Sequence, residues 1–479
     1  MKSLMIQGTA SGVGKSVLVA GLCRLLARHG VRVAPFKPQN MSNNAAVTVD
    51  GGEIGRAQAL QAFACGIQPT VDMNPVLLKP EADCTSQLVV LGKVVGKLES
   101  ARFREEREKW LTTVLASFNR LREVYDVVVV EGAGSPAEPN LRAGDIANMG
   151  FAEAADIPVW LVGDIDCGGV FASLTGTLDI LSDSECNRVE ALLINRFRGY
   201  LALLDDGLTW LEQRSCKKVA GVIPWLPLEL PEEDAPYRLG QATANPEGQL
   251  HIAVITYPRM SNFDDLDPLA AEHPVSLRLV DHPDQLQPAD LVILPGSKHV
   301  AADLEWLRHR GFVAALQKHL RYGGKLLGIC GGMQMLGKEI IDEAGVECSG
   351  SVAGLGWLDI TTHMQQEKTL KLVEAMARWP QAVPVSGYEI HYGDDNPDER
   401  LFPFSHCSDD GQVWGTYLHG LFSSGAFRRV WLTEMGISGD ASGDHERRVM
   451  ESLDLLADAM EQAIDPALLE PLLRSATCQ

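Results

Sequence analysis

Two groups of residues in this chain have the types and spacing to do chemistry. Near the amino end, Gly8-Thr9-Ala-Ser-Gly12-Val-Gly14-Lys15-Ser16 is a glycine-rich run closed by a lysine and a serine. In a loop of this kind backbone N–H groups point at phosphate oxygens, the lysine reaches the terminal phosphates, and the serine hydroxyl faces Mg²⁺. Gly8, Thr9, Gly12, Gly14, Lys15 and Ser16 are therefore nucleotide-binding candidates. Deep in the second half, Gly328-Ile-Cys330-Gly331-Gly332 sets a cysteine at the apex of a glycine-flanked turn. A thiolate presented there can attack a carboxamide and release ammonia. His419, which closes the apolar run Val413–His419 and precedes Gly420, is its candidate base. Backbone N–H groups at Gly296, in Pro295-Gly296-Ser297, and at Gly331 are candidates for stabilising the oxyanion. A loop that activates with ATP and a thiol that liberates ammonia together imply conversion of a carboxylate into an amide.

Other polar residues fall at strand ends where they could serve the same reaction. Glu131 closes four valines and precedes Gly-Ala-Gly-Ser. It would stand beside the phosphate loop and hold Mg²⁺ with Ser16, or else serve as a cap or ion-pair partner. The run Phe36–Asn44 is polar for a strand end, and Lys37, Asn40 and Asn43 are its substrate-loop candidates; a plain loop is the alternative. Asp164 and Asp166 would contact substrate or cap a helix. Asn195 would hydrogen-bond adenine.

These residues need a frame to hold them. Ser3–Gln7, the glycine loop, the helical spacing of Ser16–His29 and the run Val31–Pro35 predict a strand, loop, helix and strand in succession. Asp126–Glu131, Pro158–Asp164 and Ala191–Asn195 read as buried parallel strands with ligands at their carboxyl ends. A second alternation begins at His251 and continues through Asp290–Gly296, Lys325–Cys330 and Val413–His419. The expected fold is α/β throughout: residues 1–225 as a phosphate-loop, parallel-sheet domain, 226–250 as a linker rich in Pro, Glu, Asp and Gly, and 251–440 as a second α/β domain. Residues 441–479 carry apolar residues at helical spacing (Leu453, Leu455, Leu456, Met460, Ile464, Leu468, Leu469) and are expected to pack on the second domain.

Composition narrows the classes of function. With 479 residues, 46% hydrophobic and 22% charged, the chain suits two globular domains. A formal charge of −21 opposes nonspecific attraction to nucleic acid. No apolar run reaches the roughly 20 residues that cross a bilayer, so no membrane partner is expected. Met1 is followed almost at once by the first strand and the glycine loop, which leaves no room for a secretory signal and points to the cytoplasm. Ten cysteines lie scattered without a C-x-x-C pair or a zinc-like Cys/His spacing, so most are expected to be reduced and buried.

The longer phosphate loop, with five residues between Gly8 and Gly14, resembles that of the dethiobiotin synthetase group of ATP-using ligases. Gly328-Ile-Cys330-Gly-Gly-Met-Gln-Met-Leu-Gly and His419-Gly-Leu-Phe resemble class I glutamine amidotransferases of the cobyrinic acid synthase type. Most class I members have His-Pro-Glu where this chain has His419-Gly420-Leu421, so the orienting carboxylate is missing from its usual place and a Cys330–His419 dyad is expected.

The resemblance spans nearly the whole chain: Lys37-Pro-Gln-Asn-Met-Ser-Asn-Asn, Gly51-Gly-Glu-Ile-Gly-Arg-Ala-Gln-Ala, Met73-Asn-Pro-Val-Leu-Leu-Lys79-Pro, Asp145-Ile-Ala-Asn-Met-Gly, Leu294-Pro-Gly-Ser-Lys298 and Gly387-Tyr-Glu-Ile-His391-Tyr-Gly look like that family. The branch that forms a,c-diamides carries Pro-Asp-x-x-Asp where this chain reads Gln39-Asn40-Met-Ser-Asn43.

What the resemblance implies is ATP- and glutamine-dependent amidation of the b, d, e and g carboxylates of a corrinoid a,c-diamide. ATP would be the cosubstrate with Mg²⁺, glutamine and the corrinoid the substrates, and no organic cofactor would be tightly bound. The alternatives are the a,c-diamide reaction, a reaction like that of CTP synthase, whose substrate-loop motifs differ, and a nonenzymatic phosphate-loop partitioning or regulatory protein.

Overall fold

The computed structural model describes residues 2–82, 85–231, 249–347, 350–395, 397, 401–437 and 443–477. Two compact units are present: Met1–Ser42, Thr48–Leu230 and Val449–Gln479 form one, and Asn43–Val47 with Pro231–Arg448 the other. The change of unit falls inside the expected 226–250 linker, of which 232–248 lie outside the described residues.

The first unit is built on a six-stranded parallel sheet in the order Lys218–Pro224, Val189–Phe197, Val159–Asp164, Ser3–Gly8, Val127–Glu131, Val33–Phe36. Its central strands are apolar at consecutive positions because both faces are covered. Alternate side chains divide between two cores. Leu4, Ile6, Val127, Val129 and Trp160 face the helix Lys15–Arg28. Met5, Val128, Val130 and Leu161 face the other way, against Phe118, Phe151 and Leu174 from helices Ser100–Val124, Met149–Ala155 and Val170–Ile180. Residues Gln39–Met41, Val76–Ala82, Thr85–Val90 and Lys93–Glu99 make a second, four-stranded sheet.

The carboxyl-terminal segment corrects the expectation that it covers the second domain. Val449, Leu453, Leu456, Met460 and Ile464 are buried in the same core as Leu18, Leu22 and Leu25 of the first unit. Charge fixes the match, with Arg24 on Asp454 at 2.7 Å, Arg28 on Asp458 at 2.7 Å and His29 facing Glu461 at 2.8 Å. A Cβ at Gly21 would lie 2.5 Å from Met460 Sδ, so only glycine permits this approach. Leu455, part of the expected apolar stripe, is instead exposed.

In the second unit the strands Val275–Val280, Leu250–Ile255, Leu291–Leu294, Lys325–Ile329 and Val413–Thr416 run parallel in that spatial order, with Ser405–Cys407 antiparallel at the edge. A second sheet joins Gly350–Ala353, Glu339–Asp342, Thr361–Ala377 and Val383–Asp394, the last two forming a long antiparallel pair. The strand expected to run to His419 stops at Thr416; His419 lies beyond it and bridges to Tyr388. Among the described residues no helix is long and apolar enough to cross a membrane, and the seven described cysteines are free.

Candidate active site

In the first unit the glycine run forms the turn between strand Ser3–Gly8 and helix Lys15–Arg28, with Thr9 N–H donating to the Val162 carbonyl at 2.9 Å. Lys15 Nζ donates to the carbonyls of Ala10 and Gly134, both at 2.9 Å, so the lysine spans the glycine loop and the loop that follows Glu131. Asn195 Nδ2 donates to the Val13 carbonyl at 2.9 Å, which ties the end of its strand to the phosphate loop.

Glu131 is fully buried and is the hub of this end of the sheet. Its Oε1 accepts from Ser16 Oγ and Lys37 Nζ, each at 2.7 Å, and its Oε2 from Gln61 Nε2 at 2.6 Å and Gln58 Nε2 at 3.4 Å. Burial pushes the Glu131 carboxyl up, but the Lys37 charge and the hydrogen bonds from Lys37, Ser16 and Gln61 outweigh it and hold the group below the usual glutamate value. Asn40 joins the same network by donating to Gln58 Oε1 at 3.0 Å.

The remaining substrate-loop candidates separate from this cluster. Asp164 accepts from Arg196 at 2.7 Å and from the Asp166 N–H at 2.9 Å, while Asp166 pairs with Arg198 at 3.0 Å. Asn43 belongs to the other unit, where its Oδ1 is buried without a hydrogen-bond partner. Gln58, within the run Gly51–Ala59, and Gln61 add to the candidate residues: they sit three residues apart on the helix Arg56–Cys65, the spacing that puts two side chains on one face.

In the second unit Cys330 occupies a backbone conformation, φ 49° and ψ −110°, that a residue with a side chain adopts only under strain. The parallel strand Lys325–Ile329 delivers it, its N–H bonds the Thr416 carbonyl at 2.7 Å, and the short helix Gly331–Leu336 follows. A Cβ at Gly332 would stand 1.9 Å from the Leu294 carbonyl oxygen, so the turn closes only on glycine. The thiol lies against strand Val383–Asp394, with Sγ 3.7 Å from the Ile390 carbonyl.

His419 is 1% exposed, and its Nδ1 lies 2.7 Å from Oδ2 of Asp265, whose Oδ1 accepts from the Gly420 N–H at 2.7 Å. Burial alone pulls the imidazole down, but the Asp265 charge, with smaller contributions from the Asp265 and Cys330 hydrogen bonds, pushes it up to about 10. A carboxylate is thus present at His419 although none stands two residues after it in the sequence: Asp265 is paired with the imidazole from a distant part of the chain.

The oxyanion candidates meet at the same place. A Cβ on Gly296 would lie 3.4 Å from His419 Cε1, and one on Gly331 would lie 2.9 Å from the backbone nitrogen of Ser297. Ser297 is held by Asp303, whose Oδ2 accepts its hydroxyl at 2.7 Å; burial outweighs that bond and the Arg259 charge and raises the Asp303 carboxyl to about 6. Gln334 and Tyr417, hydrogen-bonded at 3.1 Å, and His391, stacked on Tyr417 with ring centroids 3.7 Å apart, complete a buried polar wall.

The comparisons with known proteins agree with this division. Residues 4–237 match the CobQ/CobB/MinD/ParA nucleotide binding domain, and residues 251–427 the CobB/CobQ-like glutamine amidotransferase domain. The cobyric acid synthase of Halorhodospira halophila is 59% identical over 472 residues, 98% of each chain. That of Rhodobacter capsulatus is 51% identical over 480 residues, 97% of this chain and 98% of its own. With both domains present and identity of this depth from end to end, the chain belongs to the cobyric acid synthase family, glutamine-dependent amide-forming ligases of cobalamin biosynthesis.

Proposed function

We propose that the chain uses ATP and glutamine to amidate the b, d, e and g side chains of adenosylcobyrinic acid a,c-diamide, giving adenosylcobyric acid. The observation that carries this is the strained Cys330, which sits beside a histidine paired to a buried aspartate, in one chain with a lysine- and serine-closed phosphate loop.

At the thiol site, Cys330 Sγ attacks the glutamine carboxamide carbon. The proton held by His419 passes to the leaving nitrogen, and ammonia departs from the glutamyl thioester. Water, deprotonated by His419, then hydrolyses the thioester to glutamate. N–H groups at Gly296 and Gly331 face the oxyanion in both steps.

At the phosphate loop, a side-chain carboxylate of the corrinoid attacks the γ-phosphorus of ATP and ADP leaves. The acyl phosphate exchanges its phosphate for ammonia, since an unactivated carboxylate resists attack by so weak a nucleophile. Lys15 offsets charge on the transferring phosphoryl group, and Lys37 and Asn40 lie on the acceptor side. Ser16 Oγ and Glu131 Oε1, 2.7 Å apart, present one hydroxyl and one carboxylate oxygen, a donor set suited to a hard cation that takes its other ligands from phosphate and water. Mg²⁺ held there would neutralise phosphate charge. No cluster of three His, Cys, Asp or Glu side chains suited to another metal occurs among the described residues.

Mass spectrometry of the product made by the purified chain from ATP, glutamine and the a,c-diamide is the test. Four added amides are expected. A chain that amidates cobyrinic acid at a and c, and leaves the diamide unchanged, would overturn the assignment.

A further inference from the structure

The segment Asn43–Val47, which continues directly from the polar run holding Lys37 and Asn40, belongs to the second unit and lies against the strands Thr361–Ala377 and Val383–Asp394. Asn262 holds it there. The Asn262 N–H donates to Asn44 Oδ1 at 2.6 Å, and its side-chain amide closes on Ala45, accepting from the N–H at 3.4 Å and donating to the carbonyl at 3.3 Å.

The same residue reaches both supports of His419. Asn262 Nδ2 donates to the Tyr388 hydroxyl at 2.9 Å. Tyr388 stacks on the His419 ring, centroids 5.1 Å apart and planes 16° apart, and exchanges backbone hydrogen bonds with it at 3.1 and 2.9 Å. The Asn262 carbonyl accepts from the N–H of Asp265 at 3.3 Å, and Asp265 is the residue that fixes His419 Nδ1. Asn262 is 3% exposed, with φ 52° and ψ 42°, a left-handed conformation that asparagine tolerates better than most residues.

We propose that Asn262 is a positioning residue that couples occupancy of the polar acceptor loop to glutamine hydrolysis. The proposal rests on the assignment of that loop to the carboxylate acceptor and of Cys330 and His419 to glutamine. A shift of the loop moves Asn44 and Ala45, and these bear on Asn262 through three hydrogen bonds. Asn262 in turn sets the ring that stacks on His419 and the turn that carries its carboxylate. Buried hydrogen-bonded networks have discrete arrangements and no gradual ones, which is what makes such a contact a switch. A coupling of this kind is worth about 5-fold to 150-fold and acts equally in both directions for binding.

The test measures glutamine hydrolysis by the full chain, with and without ATP plus the corrinoid acceptor, in the wild type, Asn262→Gly and Asn44→Ala. Glycine at 262 keeps the left-handed backbone and removes the amide contacts. Alanine at 44 removes the acceptor of the Asn262 N–H. The wild type should be stimulated about 10-fold or more, and the variants by no more than about twofold, while amidation driven by added ammonia stays within about threefold in both. An unchanged stimulation ratio in both variants would overturn the proposal, and so would basal and stimulated rates that fall in proportion, as a merely structural role demands. Failure of the wild type to use added ammonia would count against the underlying assignment instead. A second readout is acceptor affinity: a glutamine analogue bound covalently to Cys330 should tighten corrinoid binding in the wild type and leave it unchanged in Asn262→Gly.

Discussion

His419 carries the sharpest consequence of single-residue chemistry, because its imidazole is pushed from an ordinary value near 6.5 to about 10. A value raised in the folded state means that the stabilisation is complete below about 6.5 and is lost as pH rises through about 10. Asp265→Asn removes the main cause. The alkaline limb of glutamine hydrolysis should then move to lower pH and kcat fall by about 10²-fold to 10⁴-fold, while ammonia-driven amidation holds. A pH–rate profile identical to that of the wild type would show that Asp265 does not orient His419. Lys37 and Glu131 make the matching case in the first unit, with side chains 7% and 1% exposed. Lys37→Met leaves a buried carboxylate short of its cation and should cost about 3 kcal/mol in denaturant unfolding. Because Glu131 is held low, its stabilisation in the wild type is present above the usual glutamate range and is lost as pH falls through the depressed value. Cys330, His419, Lys15 and Glu131 were legible in the sequence because each ends a run whose period announces a strand or a glycine turn. Asp265 was not, since it joins His419 across 154 positions and no local spacing records that pairing.

Among the elements, the carboxyl-terminal helix shows what a periodic pattern leaves open. Its apolar stripe told that one face is buried but carried no information on which core receives it. The choice lies in complementary detail on the helix Lys15–Arg28: a glycine where Met460 approaches, and arginines at 24 and 28 facing aspartates at 454 and 458. Leu456→Ala should therefore destabilise the nucleotide-binding unit by about 2–5 kcal/mol. Gly21→Leu should expel the helix and raise its susceptibility to proteolysis. Unfolding followed by a probe in the first unit reads both changes, and a loss confined to the second unit would contradict the placement. The parallel strands were legible because burial on both faces leaves unbroken apolar runs. The long pair Thr361–Ala377 and Val383–Asp394 was not, because strands exposed on one side alternate with polar residues and blend into loop composition.

At the scale of the whole molecule, two chemistries reside in two units of one chain, and the account stands on their separability. The measurement that bears on it most directly is the rate of corrinoid amidation by Cys330→Ala, with glutamine and separately with a high concentration of ammonia, beside Lys15→Ala under the same conditions. Cys330→Ala should lose glutamine-supported amidation by about 10³-fold or more and keep ammonia-supported amidation near the wild-type rate. Lys15→Ala should lose both and still hydrolyse glutamine. Loss of ammonia-supported amidation in Cys330→Ala, or its survival in Lys15→Ala, would contradict the division of labour.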